Sequence, residues 1–201
     1  MKAFSIRLGN HFSKFRKENK FTDCILRSND VEIPCQRLIL AQHSEWFAQY
    51  FTSHPPKSLA EPVIVDVPVN PDGILQQFID LIYDNYAIIT IQNLPPLLKM
   101  TSYYKCDNLT RILTHFYKEA ESDENILFFA EKFTELELFE ESTMLAPRLA
   151  YHLKNIHNNV EPLAFTLPEL FKSLSAQVFA AVLSEETLRV ADQPEEKIGQ
   201  K

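Results

Sequence analysis

Apolar residues follow two rhythms along this chain, and the change from one to the other marks out its elements. From Phe21 to Phe51, FTDCILRSNDVEIPCQRLILAQHSEWFAQYF, two short apolar strands turn directly into two short apolar helices. Cys24-Ile25-Leu26 and Val31-Glu32-Ile33 flank an Arg-Ser-Asn-Asp turn, which reads as a hairpin. Leu38 to Ala41 form an apolar helical turn, Ser44 is placed to cap the next helix, and Trp46, Phe47, Tyr50 and Phe51 recur at helical spacing. Ahead of the hairpin, Phe4, Leu8, Phe12 and Phe15 fit one stripe of a helix over 4–18. Behind it, a proline-bearing loop leads to a third strand at Val63–Val67. Pro71-Asp72-Gly73 then opens a helix running to Tyr83.

Further on, Ala87–Ile91 reads as a short edge strand, Asn93 as the cap of a helix with Leu97, Leu98 and Met100, and Asp107–Tyr117 as another helix. From Glu121 onward only helical patterns occur: 126–136, then Phe139–Ile156 kinked or divided by Pro147, a start at Thr166–Phe171, and one or two helices within Val178–Val190. Gln193–Lys201 is a polar tail.

With 201 residues, 45% of them hydrophobic, the chain can bury a sizeable core. No apolar run approaches the roughly 20 residues of a membrane helix, and MKAFSIRLGN lacks the features of a secretion signal. Three cysteines without a C-x-x-C suit the cytoplasm or nucleus better than a disulfide framework. Net charge is −7 but uneven: Lys2, Arg7, Lys14, Arg16, Lys17 and Lys20 face only Glu18, while 119–141 holds nine acids against Lys132. The basic strip shares its helix with the apolar stripe, so its plain reading is the wet face of an amphipathic helix, and neither nucleic acid nor membrane is expected as a partner.

Candidate chemistry is sparse. Only Gly9, Gly73 and Gly199 are present, so no phosphate cradle or dinucleotide fingerprint can form in its usual way. The histidines lie at no metal-ligand spacing with cysteines. Cys24 and Cys35 face each other across the hairpin, either as core residues or as a redox pair. Cys106 with His115 lacks an orienting third group. The expectation is a protein with no metal, no cofactor and no enzymatic activity.

Asp23-Cys24-Ile25-Leu26, Arg37-Leu38-Ile39-Leu40-Ala41, Ser44-Glu45-Trp46-Phe47 and Phe51 together resemble the BTB/POZ domain, with Cys35-Gln36 standing where that family usually has Ala-His. Glu124-Asn125 ahead of apolar positions, and Leu167-Pro168 further on, resemble the BACK helical region that follows many BTB domains. The resemblance implies an α+β fold: a BTB/POZ domain over 1–117 in which a small sheet is capped by a helical cluster, an all-α BACK-like region over 118–192 and a tail over 193–201. It is the type found in Kelch-like adaptors, here without the Kelch repeats.

The same resemblance implies a homodimer in which the N-terminal helix packs across the partner through Phe4, Leu8, Phe12 and Phe15. Asp23 and Arg37 match the charged pair that many members hold near that interface. The alternative for the four apolar residues is that they cover the chain's own core. Leu59-Ala60-Glu61 occupies the place of the hydrophobic-x-Glu triplet through which many BTB adaptors hold a cullin, although Leu59 also fits as a plain loop anchor. The function implied is an adaptor linking an unknown substrate to a cullin-RING ubiquitin ligase. The alternative is a dimerising scaffold or transcription-type recruiter that binds no cullin.

Overall fold

The structure is a computed structural model, and it describes residues 12–29, 31–56, 58, 61–84, 87–122, 125–155 and 174–185. The chain divides into two compact units after Ala120. In the first, β1 (Cys24–Ser28) and β2 (Val31–Cys35) form an antiparallel hairpin, and β3 (Val63–Asp66) pairs in parallel with β1, in the order β2-β1-β3. The strands run to the turn itself, since Ser28 pairs with Val31 and Asn29 enters the turn at φ 51°. Asn tolerates this left-handed backbone better than most residues. Alternation then sends Cys24, Leu26, Ile33, Cys35 and Val65 into the core. Pro34, which has no N–H to donate, sits on the edge strand β2.

A parallel return to β3 needs a crossover, supplied by α2 (Arg37–His43) and α3 (Glu45–Ser53). Ser44 separates the two helices. Its buried hydroxyl accepts from the Phe47 N–H at 3.1 Å and donates to the Tyr104 carbonyl at 2.5 Å, so the cap of α3 also ties that helix to the end of a later one. Phe47 is fully buried and stacks on Tyr104 with centroids 5.2 Å apart. Phe78 joins the same cluster at 5.4 Å.

A 3₁₀ turn at Pro71–Gly73, with Gly73 at φ 68°, precedes α4 (Leu75–Asp84), and α5 (Leu94–Tyr103) and α6 (Asp107–Ala120) follow. Two tyrosines close the core by hydrogen bonds across it. Tyr83 Oη accepts from the Gln36 N–H at 2.8 Å, and Tyr104 Oη donates to the Val69 carbonyl at 2.9 Å.

Residues 87–90 form no strand. The Asn93 side chain explains why: its Oδ1 accepts from the Thr90 N–H at 2.8 Å and its Nδ2 donates to the Ile88 carbonyl at 2.9 Å. A local side-chain bond of this kind takes the backbone groups that a sheet ladder would need. Asn93 therefore orders the approach to α5 rather than capping the helix with its side chain.

In the second unit, α7 (Ile126–Glu135), α8 (Phe139–Thr143), α9 (Ala146–Asn155) and α10 (Ala176–Ser184) bury Phe129, Phe133, Leu145, Leu149, Val178 and Val182. Pro147 separates two helices rather than kinking one, because it falls in the first turn of α9, where its missing N–H costs nothing. The start read at 166–171 and the segment beyond Glu185 lie outside the described residues.

Candidate interaction surface

The first helix, α1 (Phe12–Lys17), packs on α4 with its polar side inward. Ser13 and Arg16 are buried, whereas Phe12 is 49% exposed and Phe15 is half-buried. Phe15 meets Phe21 edge to face, with centroids 5.3 Å apart, and Phe21 is itself 79% exposed. Phe21 also adopts φ 56°, a left-handed backbone that bulky residues rarely take and that costs about 1–3 kcal/mol. Sequence reasoning missed this residue. Its signal was a single aromatic inside the polar turn Asn19-Lys20-Phe21-Thr22. Phe4 and Leu8 lie outside the described residues.

The structure joins Asp23 and Arg37. The Asp23 carboxylate accepts from the Arg37 backbone N–H at 2.7 Å and from its Nε at 2.9 Å, fastening the start of β1 to the first turn of α2. Leu38, the next residue, is 76% exposed.

The described part of the basic strip is paired within the chain. Arg16 bonds to Asp80, Lys17 to Asp84 at 3.2 Å, and Lys14 and Lys20 both to Glu18. The Lys20 ammonium, hydrogen-bonded to Glu18, holds that carboxyl below its usual range. Burial would raise the Asp84 carboxyl, but hydrogen bonds from Ser13 and Lys17 and the nearby cations outweigh it and hold the group low.

Of the Leu59-Ala60-Glu61 triplet, Leu59 and Ala60 lie outside the described residues. Glu61 is exposed and borders a hollow of about 480 Å³ with Tyr50, His54, Pro55 and Ile64. The foot of this loop is anchored on α3: His54 stacks on Tyr50 at 4.3 Å and Tyr50 on Trp46 at 5.2 Å.

All three cysteines are free and buried. Burial pushes the thiols up, Cys35 and Cys106 each to about 12, so all stay protonated near neutral pH. Cys106 is enclosed while His115 lies exposed beside Glu119, and the two do not share an environment. Among the described residues, no group of three or more His, Cys, Asp or Glu is arranged to hold a metal, and no helix is long and apolar enough to cross a membrane.

A small three-stranded sheet capped by helices defines a mixed α+β domain. The sequence model of the BTB/POZ domain matches residues 12–121, and the chain belongs to that family. Kelch-like protein 41a of Danio rerio is 27% identical over 169 residues, covering 83% of this chain and 28% of that protein. Kelch-like protein 40b of Danio rerio is 27% identical over 176 residues, covering 87% of this chain and 26% of that one. Human Kelch-like protein 41 is 25% identical over 173 residues, covering 86% and 27%. The chain thus spans little more than a quarter of the length of these relatives. Among solved structures, the BTB domain of zebrafish PATZ1 is similar with a TM-score of 0.47 and 17% identity, covering 58% of this chain and 99% of that one.

Proposed function

We propose that the chain is a homodimeric adaptor, assembling through the outer face of its first helix and carrying a cullin-binding edge at the Leu59–Glu61 loop. The observation that supports this reading best is the exposure of Phe12 and of Phe21, the latter in edge-to-face contact with the half-buried Phe15. Burying each such ring on association contributes roughly 1.5–3 kcal/mol. The Asp23–Arg37 clamp sets the alignment of the two copies more than their affinity. Glu61, exposed above an anchored loop foot, offers the carboxylate of the cullin triplet. The adaptor acts in the cytoplasm or nucleus, and catalysis belongs to the ligase's other subunits.

Capture with a cullin N-terminal region tests the second half of this reading. Wild type is expected to bind, with Leu59→Asp and Glu61→Lys each reducing capture by about tenfold or more. A wild type that binds no cullin, or variants that bind equally well, leaves the dimerising scaffold as the function.

A further inference from the structure

The two outer edges of the sheet are not alike. In a parallel pair each residue turns its N–H and C=O to the same side, and the sides alternate along the strand. Val63 and Val67 donate to the Asp23 and Arg27 carbonyls at 3.0 and 2.8 Å, so the odd-numbered residues of this stretch serve β1. The N–H and C=O of Ile64 and Asp66 therefore point outward, where among the described residues no further strand meets them. On the opposite edge the Cys35 carbonyl accepts from the Asp23 N–H at 3.0 Å, which leaves Glu32 and Pro34 as the outward residues of β2. Proline brings no N–H and so blunts that edge against pairing. No such device protects β3. Its one charged residue, Asp66, is bonded to Arg27 at 2.7 Å, and Ile64 is 47% exposed.

The hollow of about 480 Å³ lies against this open edge. Val63 and Ile64 line one side, Tyr50, His54 and Pro55 line another, and none of its described lining residues belongs to β1. The α3 wall is already fixed, because the His54 ring stacks on Tyr50 and its Nδ1 lies 3.0 Å from the Tyr50 carbonyl. Glu61 stands at the rim as an exposed carboxylate with no cation paired to it among the described residues. An open strand edge satisfies its main-chain groups by pairing with another extended chain, and a recess walled by aromatic and proline rings takes an apolar side chain from that chain. The Glu61 carboxylate favours a Lys or Arg beside it. We propose that the outer edge of β3 takes up an extended segment of another protein as a fourth strand, with an apolar side chain in the hollow and a Lys or Arg facing Glu61. This surface is independent of the self-association reading, and it goes beyond the cullin reading, with which it shares Glu61 alone.

A displayed library of peptides of about eight residues, the length of an ordinary strand or slightly more, is selected on the full chain, and the recovered peptides are measured by fluorescence anisotropy. They are expected to pair an apolar residue with a Lys or Arg and to protect the Ile64 and Asp66 amides from exchange. N-methylation at alternate peptide residues deletes the donors of one peptide edge and keeps every side chain, so in one of its two registers it is expected to weaken binding by about tenfold or more. Ile64→Pro removes an N–H that β1 does not use and should weaken binding as much; if that variant does not fold, the N-methylated peptides test the same bonds on wild type. Peptides that tolerate N-methylation in both registers, or that leave both amides unprotected, overturn strand addition. A library that yields nothing tighter than about 1 mM overturns the site. A wild-type mass in light scattering that falls with Ile64→Pro makes a second copy the occupant and overturns a foreign segment. Ile64→Pro is expected to leave capture by the cullin N-terminal region at the wild-type level; joint loss would assign the hollow to the cullin face, whereas a wild type that binds peptide and no cullin sinks the cullin reading alone.

Discussion

Helices α3 and α1 both lie against the first unit's core, yet they are held by opposite means. Phe47 of α3 is fully buried and lies nearly parallel to Tyr104, with 8° between the rings, and the Ser44 cap secures the same helix at its start. Arg16 of α1 is almost as deeply buried, but its partners are a carboxylate and the face of a tyrosine. Apolar stacking adds stability in proportion to the area removed from water. Ionic docking adds little net stability but is directional. The two helices therefore differ in kind, one held by packed area and the other by a directed ion pair.

Predictions that remove one kind of docking at a time probe this contrast. Phe47→Ala opens a cavity inside the aromatic cluster and is expected to cost about 3–5 kcal/mol in a denaturant titration. A loss below 1 kcal/mol would mean that the stack is not what holds the core. Acid should act on the other helix. Asp84 sits below its ordinary value of 3.8, so its contribution is present above that value and is lost as pH falls through it and below. Amide exchange resolved by residue should show α1 losing protection over that window before β1 and α4 do. Simultaneous loss across all three would contradict a separate ionic seam. The smallest effect belongs to Lys17→Ala, because the Lys17 side chain is 59% exposed. It should cost about 0.2–1 kcal/mol at low salt and less as salt is added; a salt-independent loss would point to packing instead.

The same contrast explains what could be read from the chain. Cys24, Leu26, Ile33, Leu40 and Phe47 recur with the spacing of the elements that bury them, so the hairpin and the helix pair were legible from apolar pattern alone. The docking of α1 was not, because Arg16 meets its carboxylate, Asp80, 64 residues away, and no local period encodes that. The stripe of Phe12 and Phe15 showed an amphipathic helix without showing which side faces inward. Phe21 escaped notice because its exposure depends on a left-handed backbone in a turn. Ala87–Ile91 looked like a strand by composition, and the side-chain bonds of Asn93 took its backbone groups instead.

The central claim is that the outward aromatic side of α1 joins two copies of the chain. Light scattering of wild type and Phe12→Asp at matched micromolar concentrations tests it most directly. Wild type is expected at twice the monomer mass and the variant as a monomer, with the dissociation constant raised by roughly two orders of magnitude. A monomeric wild type, or a Phe12→Asp protein that remains a dimer, would contradict it.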